Sequence, residues 1–344
     1  MLCSNCFNDE GLRISADEMG TENNDLCNCC NSRTGKKLDH DAVIDLAHRF
    51  FVWGTLHRCE YGAAPVVQFN KHQETSINVS SWLKKDVQLL SDKLGVGFFH
   101  YGPRFWMIGE IEPLKDLQNI QYRQSIIMRI FDEYPSLILD SNDKFYRIRK
   151  APNTPNDFKE YDSPPIKYSG TGRLDTTELS ILYGSQDLQV CIHECRVTAE
   201  DELYVATLKP ERKLCFLNLS ALIKEKCTEF ESLDLAVHML FLAGKHSYDI
   251  TRDISVAAKE RGFDGIAFPS YFSLLRSGGM PFDTTFGLSH RRIPELQEFE
   301  QSKIVPNLAV FGSPISQGDI SVASINKLLL HRVEYGVHFG PVES

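Results

Sequence analysis

Two groups of residues in this chain have types and spacings that could do chemistry. The first is a set of thiols. CSNC places Cys3 and Cys6 at C-x₂-C spacing, and CNCC offers Cys27 and Cys30 at the same spacing further on. Two such knuckles bring four thiolates to a tetrahedral site, as in a zinc ribbon with one structural zinc. Cys29 is a spare that could replace either neighbour. A loose thiol-rich tail is the plainer alternative, but so short and polar a stretch has little other means of folding. With seven acidic against four basic residues in positions 1–39, this segment is suited to structural support rather than to nucleic acid.

The second group is a series of polar residues at strand and helix ends. In FYRIRK, Arg147 and Arg149 are two apart and share one face of a strand, where guanidinium groups can hold phosphate oxygens bidentately. GTGR is a glycine turn that delivers Arg173. In ILYGSQDLQVCIHECR, a strand bearing Tyr183 leads through the capping residues SQD into a helix. At 100° per residue Leu188, Cys191, Ile192 and Cys195 form its apolar stripe, with Glu194 about 60° outside Cys191 on the rim. His193 falls on the opposite, wetter side. DGIAFPS carries Ser270. Taken singly, these are a surface arginine, a core tyrosine, a salt-bridged glutamate and a turn serine.

Other chemistries fail on their patterns. CIHEC lacks the second histidine of H-E-x-x-H and the P-C-x-x-C of the deaminases, and its two cysteines belong to the apolar stripe. GTGR is too short for a phosphate loop, and no G-x-S-x-G elbow occurs. His48, His57, His72 and His100 sit in no recognisable catalytic spacing.

The elements that must position these residues fall into three segments. Residues 1–39 form the cysteine-bearing, zinc-ribbon-like segment. Residues 40–140 read as a mainly helical domain: DHDAVIDLAHRFFVWGTL opens on a capping aspartate, SSWLKKDVQLLSDKLG has a serine cap and a glycine stop, and QYRQSIIMRIFDEYP ends at proline. HYGPRFWMIGE lies between them as an aromatic-rich turn and strand. Residues 141–334 alternate strands (FYRIR, SILYGS, LYVATL, KLCFLNL, DGIAFPS, NLAVFGS) with helices over 187–196, 231–243 and 248–262. NTPND, DSPP and RSGGMPFD read as loops.

The totals set outer bounds. A chain of 344 residues with 42% hydrophobic and 24% charged residues has a globular composition and room for two ordinary domains. Its net charge of −9 argues against nonspecific nucleic-acid binding. The longest apolar run, AVHMLFLAG, is too short to span a bilayer, and the N-terminus has neither the basic nor the apolar part of a secretory signal. The cytoplasm is the default, where ten cysteines mean thiols and metal ligands rather than disulfides.

An arginine near the first strand, G-x-G-R, a strand-borne tyrosine with a helical glutamate eleven residues on, and then DGI-x-x-x-S together resemble the RES-domain family. The matching pieces are FYRIR, GTGRL, ILYGSQDLQVCIHE, DGIAFPS and the closing NLAVFGS. A cysteine ribbon and helical region ahead of the domain resemble longer bacterial members. The resemblance implies an α+β fold related to ADP-ribosyltransferase toxins and an activity that consumes NAD by cutting the nicotinamide–ribose bond. ADP-ribose would pass to water or phosphate, or alternatively to a protein. It further implies catalytic roles for Glu194, Tyr183, Arg147 and Ser270, and NAD binding by Arg147, Arg149, Arg173, Tyr183 and Ser270. The partners it implies are an antitoxin or regulatory protein, with a second copy of the chain also considered. A non-catalytic NAD-binding scaffold is the remaining alternative. Two departures stand out: the family's GRW-N turn reads GRLD here, and the distance from Glu194 to Ser270 leaves Ser273 as an alternative serine.

Overall fold

The computed structural model describes residues 1–101, 111–273 and 290–342. The turn and strand expected in HYGPRFWMIGE, apart from its first two residues, and the loop RSGGMPFD lie outside the described residues. Compactness groups the described chain into two units rather than along the three sequence segments: 1–59, 63–101 and 334–342 in one, 60–62, 111–273 and 290–333 in the other.

In the first unit the cysteine segment does not fold apart. Strand β1 (Leu2–Cys3) pairs antiparallel with β2 (Lys37–Leu38). Between the knuckles lies a helix absent from the sequence expectation, α1 (Glu10–Met19), capped by the Asp9 side chain on the Leu12 amide. Its buried face joins Leu2, Phe7 and Leu38 to residues of α2 (His40–Ala47) and α3 (Lys84–Leu94) in one core. Asp86 of α3, almost wholly buried, accepts the amides of Asn8 and Asp9 at 2.9 and 2.7 Å, fixing the chain just past Cys6. Helix α2 has the expected aspartate cap, Asp39, and α3 the expected stop, Gly95 at φ +63°. The region is less helical than expected, because it also holds β3 (Leu56–Cys59), β4 (Gly62–Pro65), β5 (Val67–Asn70) and β6 (Gly97–His100), the last two paired antiparallel.

The second unit is built on an eight-stranded mixed sheet. Helices α4 (Glu112–Gln118) and α5 (Ile120–Glu133) lead into β7 (Ser136–Leu139), an edge strand; all three belong to this unit, although the sequence assigned them to the preceding domain. The remaining strands are β8 (Phe145–Lys150), β9 (Ile181–Ser185), β10 (Leu203–Pro210), β11 (Leu214–Asn218), β12 (Gly265–Pro269), β13 (Pro306–Phe311) and β14 (Ile320–Leu328). Their spatial order is β14-β10-β8-β9-β13-β12-β11-β7. Every pair is antiparallel except β11–β12, which are joined through α7 (Leu233–Leu242) and α8 (Tyr248–Glu260). Phe145, Leu182, Leu208, Phe216, Leu308 and Val310 anchor one buried layer. The short helices α6 (Leu188–Glu194), α9 (Gln297–Ser302) and α10 (Pro314–Gln317) complete the unit.

The sheet has a seam. β8 and β9 share one residue pair, Tyr146 with Ser185, while β8 pairs with β10 over six. Side chains do the joining that the ladder does not. Arg147 donates to the Tyr183 carbonyl on β9 at 2.8 Å and to the Asp162 carbonyl at 3.0 Å. Cys191 donates its S–H to the Tyr146 carbonyl at 3.2 Å. Gly184 permits the close approach, since a Cβ there would lie 2.7 Å from the Tyr146 carbonyl oxygen.

A lysine ammonium cannot reproduce this planar two-carbonyl fork. Arg147→Lys should therefore lower stability by about 1–3 kcal/mol, the cost of leaving a buried carbonyl unpaired, measured as a fall in Tm. An unchanged Tm would mean that the seam is held by other contacts.

Candidate functional site

Glu194 ends a helix that the seam holds in place. Asp187 caps α6 by accepting the Val190 amide at 3.0 Å, as SQD predicts. The buried Ser185 hydroxyl accepts the Asp187 amide at 3.2 Å and donates to the Pro306 carbonyl at 2.9 Å, tying the start of α6 to β13. Leu188, Ile192 and Cys195 pack half-buried around Cys191, against Ile148, Leu203 and Val205, so the expected stripe is present. Val190 is also fully buried, a position the stripe missed. It lies four residues before Glu194 on the same side of the helix. Glu194 thus stands above a covered surface, and its carboxylate turns inward while the residue as a whole stays exposed.

Two buried donors meet that carboxylate on one oxygen. Ser270, just past β12, donates its hydroxyl to Glu194 Oε1 at 2.6 Å, and Asn307 of β13 donates Nδ2 to the same atom at 2.5 Å. Both are almost fully buried, at 3% and 7% exposure, which separates them from surface partners. Ser273, the alternative serine, bonds to backbone instead: it donates to the carbonyls of Ser270 and Val305 and accepts the Val305 amide. Beside the carboxylate, the His193 ring stacks on Phe272 with centroids 5.4 Å apart and 19° between planes.

The other sequence-identified residues are already engaged. Arg149 donates to the carbonyls of Glu160 at 2.6 Å and Asp162 at 3.0 Å. Arg147 shares the Asp162 carbonyl, and its buried Nε–H has no acceptor among the described residues. Burial brings the Arg147 guanidinium down to about 9, with the Arg149 charge acting in the same direction. Arg173 donates to the Leu240 and Ala243 carbonyls at the end of α7 and lies over the ring of Tyr248. Burial lowers its pKa, opposed by the nearby acidic side chains of Tyr248, Glu194 and Tyr183. The Tyr183 hydroxyl accepts the Leu174 amide at 3.0 Å and faces Asp175 at 3.2 Å; burial, then the Asp175 charge, raises its pKa.

Asp175 explains the GRLD departure. Its Oδ2 accepts the successive amides of Gly170, Thr171 and Gly172 at 2.5, 3.1 and 3.2 Å. Such a concavity of amides attracts anions, and here the chain's own carboxylate fills it. Arg252 of α8 clasps the same turn through the carbonyls of Gly170 and Gly172. The turn is a braced platform for Tyr183.

In the first unit the sulfurs of Cys3, Cys6, Cys27 and Cys30 lie within 4.8 Å of one another, while Cys29 is exposed and outside the cluster. The neighbouring sulfurs are separated by 3.4, 3.5 and 3.7 Å. A tetrahedral ion with metal–sulfur bonds of about 2.3 Å would hold them about 3.8 Å apart, so the four thiols fit one. Burial raises Cys3 to about 11. At Cys27 burial acts the same way but is outweighed by the amides of Cys30 and Cys29 and the thiols of Cys6 and Cys3, which bring it down to about 6.

The fold and site define an α+β domain whose catalytic candidate is a carboxylate anchored by buried donors at the ends of two neighbouring strands of a mixed sheet. Residues 144–297 match the family model of the RES domain, and the chain carries a RES domain over that span. The span contains every second-unit residue singled out from the sequence; Asn307 lies beyond it. Among solved structures, the crystal structure of the M. tuberculosis MbcT-MbcA toxin-antitoxin complex is similar at 15% identity, covering 59% of this chain and 91% of that chain with a TM-score of 0.32. No curated protein matches.

The cysteine cluster gives a direct expectation. Purified protein should carry one metal ion per chain; Cys27→Ser should lose it, whereas Cys29→Ser should keep it. A metal-free preparation with undiminished thermal stability would contradict a structural metal at these thiols.

Proposed function

We propose that this protein consumes NAD by cleaving the nicotinamide–ribose bond and passes ADP-ribose to water or phosphate. The observation that carries this reading is the Glu194 carboxylate, held on Oε1 by two buried donors and carrying no hydrogen bond on Oε2 among the described residues. Loss of nicotinamide builds positive charge on the ribose, as in glycoside cleavage. A fixed carboxylate that also accepts a ribose hydroxyl stabilises that charge more in the transition state than in the ground state.

The other residues support the same chemistry in more particular roles. The braced ring of Tyr183 offers a surface for nicotinamide. Arg147, Arg149 and Arg173 bring positive charge to suit a diphosphate, but their hydrogen bonds go to carbonyls, so their contribution is field and framework. The relation to the ADP-ribosyltransferase toxin fold belongs to this reading. So do a cytoplasmic toxin or defence role, an antitoxin partner, and a structural zinc at the four thiols. Among the described residues no helix is long and apolar enough to cross a membrane. Transfer to a protein is the second reading, favoured by one observation: Glu194 is exposed enough for a large acceptor to approach.

Incubating the protein with NAD, with and without phosphate, and weighing the products separates these acceptors. Glu194→Gln keeps volume and the two donated bonds but removes the charge. Nicotinamide release should fall by roughly 10² or more, with NAD affinity and Tm little changed. Near-normal release from a well-folded Glu194→Gln protein would refute the assignment.

A further inference from the structure

We infer that Asn307 is a positioning residue for Glu194, acting with Ser270 to fix one carboxylate oxygen so that the other is presented to the ribose; this rests on the NAD reading above. The two donors come from different elements, and neither is close to Glu194 in sequence. Ser270 follows β12, with its amide on the Val305 carbonyl and its hydroxyl also accepting the Phe272 amide. Asn307 lies in β13, between β9 and β12, in register with Ser185 on one side and Phe268 on the other. Its backbone is therefore held from both sides, and through Ser185 it is tied to the cap of the helix that ends in Glu194.

A glutamate serving only as a surface charge has no need of this arrangement. The Asn307 amide is almost wholly buried, and among the described residues its Nδ2 donates to Glu194 and to no other acceptor. Burying a polar group without a partner costs about 1–3 kcal/mol, so the pair orders the carboxylate as much as the carboxylate satisfies the pair. With Oε1 taken up, rotation about the last side-chain bond is restrained, and Oε2 becomes the oxygen that meets a ligand. Ser270 then acts through Glu194 rather than on the substrate, a different role from the NAD-binding one that the family resemblance implies.

The test is a double-mutant cycle on nicotinamide release with the full chain: wild type, Asn307→Ala, Glu194→Gln, and both together, with Tm measured for each. Loss of positioning should lower kcat of Asn307→Ala by about 10²-fold, the scale of an ångström misplacement, with KM nearly unchanged. In the Glu194→Gln background the second substitution should cost nothing further, because its effect runs through the missing charge. Asn307→Leu, close in volume but without a donor or a charge, should reproduce the loss if the alanine variant folds poorly. An active wild type with an equally active Asn307→Ala, or the same fold-loss in both backgrounds, would overturn the inference. A wild type that releases no nicotinamide would instead remove the NAD reading on which it rests.

Discussion

The second unit depends on how its sheet is joined where the ladder nearly fails. One residue pair links β8 to β9, and the rest of the connection is made by the guanidinium of Arg147, the thiol of Cys191 and the absent side chain of Gly184. The single pair sits at the end of β9, where the chain leaves for α6, and the stretch not paired with β8 is the rest of β9. Because pairing stops at Ser185, the chain turns at once into α6, and Glu194 reaches the residues that follow β12 and open β13. The one backbone link across the seam and the start of the helix that carries Glu194 thus meet at Ser185.

That feature divides the work among the polar residues. A buried arginine loses hydration, and here backbone carbonyls replace it: Arg147, Arg149, Arg173 and Arg252 all donate to main-chain oxygens. Asp175 likewise satisfies the amides of its own turn and the hydroxyl of Tyr183. Among the described residues what remains open is the outer side of Glu194, with the stacked His193 and Phe272 rings beside it. Rigidity is placed behind the carboxylate and accessibility in front, as preorganised electrostatic stabilisation of a cation requires.

Much of this was legible in the sequence because local pattern and tertiary role agree. All six strands read from the third segment are present, as are its helices, since each carries a continuous apolar run or a clear stripe. The edge strands β7 and β14 are not legible in the sequence, because their residues alternate weakly and lie partly in solvent. Helix α1 was hidden by the polar composition between the knuckles; only Leu12 and Ala16 are buried on it. Residue types on β8 suggested a phosphate clamp, but type and strand face do not reveal whether a guanidinium has already found carbonyls. Asn307 opens the run NLAVFGS, where residue type alone does not mark it as a site residue. Its signal was a polar residue opening a strand whose next four positions are all buried and apolar.

The central claim is that NAD places its nicotinamide ribose against the free oxygen of Glu194, and a crystal structure of the Glu194→Gln protein with NAD bound tests it most directly. The account predicts a ribose hydroxyl within hydrogen-bonding distance, about 2.6–3.2 Å, of the terminal side-chain atom at position 194 that Ser270 and Asn307 do not hold. Ordered NAD whose nicotinamide ribose lies away from residue 194 would contradict it.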